Sequence, residues 1–151
     1  MPDPARRPPE PPALLVLDTN VVLDWLVFRD PGCDVLGEVL TSGGALWVAT
    51  PTMWAELERV LARGSLDAWR PDVSALWAAW ERWASVVPAP PQPRPRAPRC
   101  TDPDDQPFID LALHAGASAL LSRDRAVLRC ARAARAFGLA ILTPAAWAAR
   151  R

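Results

Sequence analysis

A three-layer α/β/α domain around a central, mostly parallel sheet is predicted by three features of this sequence. Short, continuous apolar runs alternate with segments whose apolar residues recur every three to four positions. Proline, glycine or a polar cluster stands at almost every junction between them. The length, 151 residues, is about that of one domain and long enough to bury a core without metals or disulfides.

The elements follow in order. Residues 1–12 are proline-rich and polar, expected to form a disordered tail ahead of a single domain over 13–149. Ala13–Leu17 is a continuous apolar run ended by Asp18-Thr19-Asn20, which marks a buried parallel strand. Val21–Phe28 follows as a buried helix behind those capping residues. Cys33–Thr41 has helical periodicity, and Ser42-Gly43-Gly44 ends it. Ala45–Ala49 is the second strand. Thr52–Leu61 is a helix with Pro51 at its start. A further helix is predicted over Pro71–Ala84, with Val73, Leu76, Trp77, Trp80 and Trp83 as its apolar stripe; with Trp69 these tryptophans read as buried in a core or a dimer interface, or as rings on which nucleic-acid bases stack.

Ser85–Val87 reads as a short strand. Pro88–Arg99 (PAPPQPRPRAPR) then reads as an inserted, extended loop. Asp104–Ala115 is a helix stopped by Gly116, and Ala117–Leu121 a strand. Asp124–Phe137 is a helix stopped by Gly138, Leu139–Leu142 the last strand and Pro144–Ala149 a terminal helix.

Several function classes are excluded at this level. The 17 basic residues, all arginine, balance 17 acidic ones, which argues against binding nucleic acid through bulk positive charge. No stretch reaches the roughly 20 apolar residues of a membrane helix, and the N-terminus has no apolar signal core. Cys33, Cys100 and Cys130 are odd in number and widely spaced. They read as thiols in a reducing, cytoplasmic setting. With a single histidine, His114, they do not suggest a zinc site.

In parallel α/β sheets ligands bind outside the carboxyl ends of the strands, where strand order reverses. That directs attention to Asp18 after the first strand and Asp124 after the fourth. Glu56 lies in a helix among apolar neighbours, and Asp105 at the start of another. Each has an ordinary reading: Asp18, Asp105 and Asp124 as helix caps, Glu56 as part of a solvated face. Together, four carboxylates at one edge would repel and raise one another's pKa unless a cation joined them. Mg²⁺ or Mn²⁺, hard ions that prefer oxygen ligands, suit such a set. Arg123, Arg125 and Arg129, with Arg132, read as a basic helix face near these acids, able to meet RNA phosphates or simply solvated.

Three motifs carry a resemblance over most of the chain: LVLDTNVVLDWLVF at Leu15–Phe28, PTMWAELERVL at Pro51–Leu61 and CTDPDDQPFIDLALHAGASALLSRD at Cys100–Asp124. In order and spacing they resemble PIN-domain ribonucleases, most of all the bacterial toxin components of toxin–antitoxin pairs. The resemblance implies a PIN-like fold and a Mg²⁺- or Mn²⁺-dependent endoribonuclease leaving a 5′-phosphate. It implies that Asp18, Glu56, Asp105 and Asp124 are catalytic and hold the metal, and that Thr19, Asn20 and Ser122 support them. It also implies an RNA substrate, a protein antitoxin and, with the apolar early helices, a homodimer. Such sequences usually carry a second acid two positions after the last one. Here that position is Ala126, leaving Asp102 or Asp104 to take over any such role. The alternative is a non-catalytic PIN-fold module that binds RNA or a partner. A dehalogenase-type phosphatase would need a second aspartate in Asp18-Thr19-Asn20, and a receiver domain a strand-end lysine.

Overall fold

The computed structural model describes Ala5 and residues 10–151. The expectation of a disordered tail over 1–12 therefore falls largely outside the described residues.

Five strands form one wholly parallel sheet in the order β3-β2-β1-β4-β5. They are β1 (Ala13–Leu17), β2 (Ala45–Ala49), β3 (Ala84–Val86), β4 (Ala119–Leu121) and β5 (Ala140–Leu142). The central strand, β1, pairs Ala13 with Ala45 on one side and Leu17 with Leu121 on the other. The chain builds outward from β1 to β3, returns to β4 and continues outward to β5. Strand order thus reverses between β1 and β4.

The helices are α1 (Thr19–Leu26), α2 (Asp34–Thr41), α3 (Pro51–Ala62), α4 (Val73–Trp83), α5 (Gln106–Ala115), α6 (Arg125–Leu128), α7 (Ala131–Arg135) and α8 (Pro144–Ala149). Single 3-10 turns at Pro31–Cys33 and Asp67–Trp69 precede α2 and α4. Crossovers between parallel strands are right-handed almost without exception. The reversal at β1 therefore assigns α1–α4 to one face of the sheet and α5–α7 to the other. Residue packing agrees, because α5 lies on β1 and β4, and α7 on β5.

The core follows from the apolar runs. Leu15, Val16, Leu17, Leu120 and Leu121 are buried on the central strands, because helices cover both faces there. On β2, Trp47 is 1% exposed and receives the edges of Trp25 and Trp80, with ring centroids 5.9 and 5.2 Å away. Gly116 ends α5 at φ 69°, a conformation that a side chain disfavours. The Ala117 N–H then bonds the Ala112 carbonyl and turns the chain toward β4.

The structure departs from the sequence reading in two places. The helix expected over Asp124–Phe137 is two short helices, α6 and α7. The Cys130 N–H turns to the Val127 carbonyl, and its buried thiol faces the Ala126 and Arg99 carbonyls. Arg125, Arg129 and Arg132 are therefore not consecutive positions on one helical face. The Trp77/Trp80/Trp83 stripe also does not bury together. Steps of three residues on a helix drift by about 60° each. Only the middle member, Trp80, faces the core; Trp77 is 42% exposed and Trp83 half-buried.

The Pro88–Arg99 insertion is extended as expected but is secured at its end. Ala97 and Pro98 are buried. The Gln106 side-chain amide donates to the Pro98 carbonyl (2.9 Å) and to Asp110 (3.0 Å), and its oxygen accepts the Cys100 N–H (2.7 Å). This clamp holds the segment that carries Asp102 and Asp105.

Candidate acidic site at the sheet switch point

Asp18 leaves the carboxyl end of β1, and its N–H still bonds the Leu121 carbonyl of β4. The side chain is 3% exposed. One carboxylate oxygen, Oδ1, accepts the Val21 N–H (2.9 Å) and so caps α1. The other, Oδ2, accepts a short hydrogen bond from the Ser122 hydroxyl, which sits fully buried at the end of β4. Burial drives the Asp18 carboxyl up to about pKa 6 against these two bonds, which favour its charge, and nearby Asp124 and Asp24 add to the rise.

The Ser122 oxygen also accepts the Asp124 N–H (3.0 Å), and Asp124 caps α6 through the Ala126 N–H (2.7 Å). One hydroxyl thus joins the ends of β1 and β4. Glu56, from α3, accepts the Thr19 hydroxyl at 3.3 Å, which ties α3 to the start of α1. Asn20 is exposed beside it.

Asp105 stands immediately before α5 but does not cap it with its side chain. Its Oδ2 is shut off from solvent and has no hydrogen-bond partner, the one such side-chain atom among the described residues. The Asp105 carboxyl is raised to about pKa 7, first by burial and then by the charges of Asp124, Asp102, Asp18 and Glu56, in that order. That set of perturbers brings the four expected acids and Asp102 into one electrostatic neighbourhood. Asp102 itself is exposed, and its carboxylate accepts the Asp104 N–H at 3.0 Å.

Among the described residues, no three carboxylate, imidazole or thiol side chains already converge where an ion could sit. The hydrogen bonds explain this. Asp18 and Asp124 are turned toward backbone donors, and Glu56 toward Thr19. Yet Asp105 holds a buried carboxylate oxygen without any donor, and four further carboxylates are near enough to raise its pKa, so the site lacks positive charge. The donor set, all oxygen, fits a hard divalent cation. Asp18, Glu56, Asp105 and Asp124 are the residues able to hold one, with rotation of the capped side chains.

Arg123 points elsewhere. It pairs with Asp30 (2.7 Å) and Asp24 (3.3 Å), tying α1 and the following turn to the end of β4. Its guanidinium is thereby engaged, whereas Arg125 and Arg129 are exposed. His114 is exposed on α5. Two positions escaped the sequence reading. Asp24, on the inner part of α1, is half-buried and raised in pKa chiefly by burial; its place six residues after Asp18 in an apolar helix was the available signal. Gln106 gave no signal, because its partners are backbone atoms of a proline-rich loop.

Ser122→Ala is expected to cost about 1–3 kcal/mol, because a buried carboxylate loses its donor and a buried N–H loses its acceptor. Urea denaturation at pH 7 reads the loss. The cost should shrink at pH 5, where Asp18 is largely protonated and the lost bond no longer leaves a buried charge short of a donor.

The wholly parallel sheet, its flanking helices and a carboxylate group at its switch point define a three-layer α/β domain with an acidic carboxyl-edge site. The chain belongs to the PIN-domain family, whose model matches residues 14–126 and so includes Asp18, Glu56, Asp105 and Asp124. PIN domains are nuclease-type folds, generally hydrolases that use divalent metals. No curated protein matches the chain significantly. No helix among the described residues is long and apolar enough to cross a membrane.

Proposed function

We propose that this protein is a divalent-metal-dependent endoribonuclease, and that it acts as the toxin of a toxin–antitoxin pair. The observation that carries the nuclease reading is the unpartnered, buried Oδ2 of Asp105 among Asp18, Glu56, Asp124 and Asp102. In this reading Asp18, Glu56, Asp105 and Asp124 hold one or two Mg²⁺ or Mn²⁺ ions. Such an ion, when bound, neutralises charge on a phosphodiester and lowers the pKa of the attacking water.

The chain's own residues do the rest. Ser122 orients Asp18 through its hydroxyl and Asp124 through that residue's N–H. Thr19 fixes the Glu56 carboxylate. The Gln106 clamp sets the approach of Asp105, and the exposed Arg125 and Arg129 are placed to hold substrate phosphates. The partners in this proposal are single-stranded RNA, a protein antitoxin and a second copy of the chain. The cellular setting is the cytoplasm.

The test is cleavage of a mixed RNA panel by the purified protein with Mg²⁺, with Mn²⁺ and with EDTA, alongside Mn²⁺ calorimetry. Cuts that require metal and leave 5′-phosphates are expected. An absence of both cutting and Mn²⁺ binding would transfer the assignment to a non-catalytic RNA- or partner-binding module. For the toxin role, growth arrest on expression is expected. Unimpaired growth despite active enzyme would refute that part alone.

A further inference from the structure

A second feature lies away from the acids. An open groove of about 640 Å³ follows α4 from Asp72, its cap, to Trp83, its last residue. That volume is within the usual range for small-ligand sites, roughly 300–1,000 Å³. Trp83 leads directly into β3, so the groove reaches the amino edge of the sheet, opposite the carboxyl edge that bears the acids. None of Asp18, Glu56, Asp105 or Asp124 lines it.

The lining pairs indole rings with free cations. Trp25 and Trp83 contact each other, with ring centroids 5.9 Å apart. Trp69 is held at its edge by Phe28 (4.8 Å) yet is 59% exposed. Arg29, Arg70 and Arg82 complete the wall, and Arg82 lies over the Trp83 ring at 5.6 Å. None of the three arginines makes an ion pair among the described residues. The lining's one carboxylate, Asp72, already accepts the Ala75 N–H.

Backbone strain singles out the same wall. Three non-glycine residues have left-handed φ among those described, all of them arginines, and two of these, Arg29 (φ 53°) and Arg70 (φ 46°), line the groove. Side chains disfavour this conformation, and residues held in it gather at functional sites. Arg70 is the C-cap of the 3-10 turn Asp67–Trp69, and neither guanidinium makes a side-chain hydrogen bond or ion pair among the described residues.

We infer that the α4 groove is a nucleotide-binding site, with a base stacked on Trp69 or Trp83 and the phosphate held by Arg29, Arg70 and Arg82. Flat, π-faced bases stack on exposed indoles, and guanidinium groups hold phosphate oxygens in pairs. The nucleotide is either free or one unit of a single-stranded RNA. The assignment is independent of cleavage, and its test is run in EDTA.

Tryptophan quenching by adenosine monophosphate and anisotropy of a labelled hexaadenylate measure the two sources. A hexamer bound at least about tenfold more tightly than the mononucleotide identifies a strand site. Equal affinities identify a free-nucleotide site. The deciding variant is Arg29→Gly with Arg70→Gly, which removes two cations while relieving the backbone. It is expected to match or exceed the wild-type melting temperature and to lose affinity about tenfold or more. Trp69→Ala, at an exposed ring, should weaken binding by a similar factor. Failure of both probes to bind below roughly 1 mM, weaker than any specific site of this kind, would overturn the inference. So would unchanged binding in both variants, or inorganic phosphate competing as well as the mononucleotide.

Discussion

Asp105→Asn is expected to abolish metal-dependent RNA cleavage and at the same time to make the metal-free protein more stable. Both effects come from the same atoms. The wild-type carboxylate is half-buried among four others, and its Oδ2 has no donor. The asparagine carries no charge, so this repulsion and most of the desolvation cost disappear. At pH 8 the gain is about 1–2 kcal/mol, less than the full pKa shift would suggest, because the group is only half-buried and solvent screens it. If Asp105 holds the metal as proposed, its loss is expected to reduce cleavage by on the order of 100-fold or more, since even supporting residues cost 10–100-fold. A variant that cuts RNA normally, or that melts well below wild type at pH 8, would contradict this account of the site.

The pH dependence supplies a second reading of the same prediction. Asp18 and Asp105 both bind a proton more tightly in the folded protein than in the unfolded chain, with values of about 6 and about 7. Their contribution to stability is therefore present at low pH and is lost as pH rises through those values. Metal-free wild type should lose stability between about pH 4 and 7, and the Asp105→Asn variant should lose less. Mn²⁺ should reverse the trend in wild type, stabilising it most where the acids are ionised, and should release protons on binding near pH 6–7. Melting curves across pH, with and without Mn²⁺, follow every part of this.

Trp47→Ala is expected to cost about 3–5 kcal/mol, the largest loss of stability from any single side chain described here. The ring is buried in the middle of β2 and joins α1 to α4 through Trp25 and Trp80. Truncation leaves a void that rigid neighbouring indoles cannot close. Against a typical total of 5–15 kcal/mol, the loss brings a domain of this size close to unfolding at physiological temperature. Urea curves should show a lower midpoint with an unchanged slope. Trp47→Phe should recover much of the difference, because it restores most of the volume. A loss below about 1 kcal/mol would show that the aromatic junction is not central to the core.

Much of the fold was legible where one physical rule dominated. The bounds of β1 and β2 coincide with their apolar runs, because strands buried over most of their length select apolar residues. The acids at Asp18 and Asp124 were legible because charge at the end of such a run is conspicuous. Their dual role was not: each caps a helix as an ordinary aspartate would, and also sits in the acidic group. The break between α6 and α7 left no trace in an alanine- and arginine-rich segment of high helix propensity. It depends on where Cys130 packs, a tertiary contact. Likewise Arg123 read as a phosphate ligand, but its partners Asp24 and Asp30 lie 99 and 93 positions away. Spacing within a helix says nothing about partners that the sheet brings near.

The hydroxyl of Ser122 reaches Asp18 across 104 positions of chain. Until β4 is inserted beside β1, Asp18 has only its local Val21 bond, and Asp124 has no strand end beside it. Contacts of such long range form late, after the cost of closing the loop has been met. The acidic group therefore has no partial version: a chain with its first three strands in place holds Asp18 and Glu56 at an edge that still lacks Asp124. In the proposed reading cleavage needs the β1–β4 seam, because only there do Ser122 and Asp124 come to the end of β1 beside Asp18. Refolding should therefore restore metal-dependent cleavage no earlier than the pairing of β4 with β1.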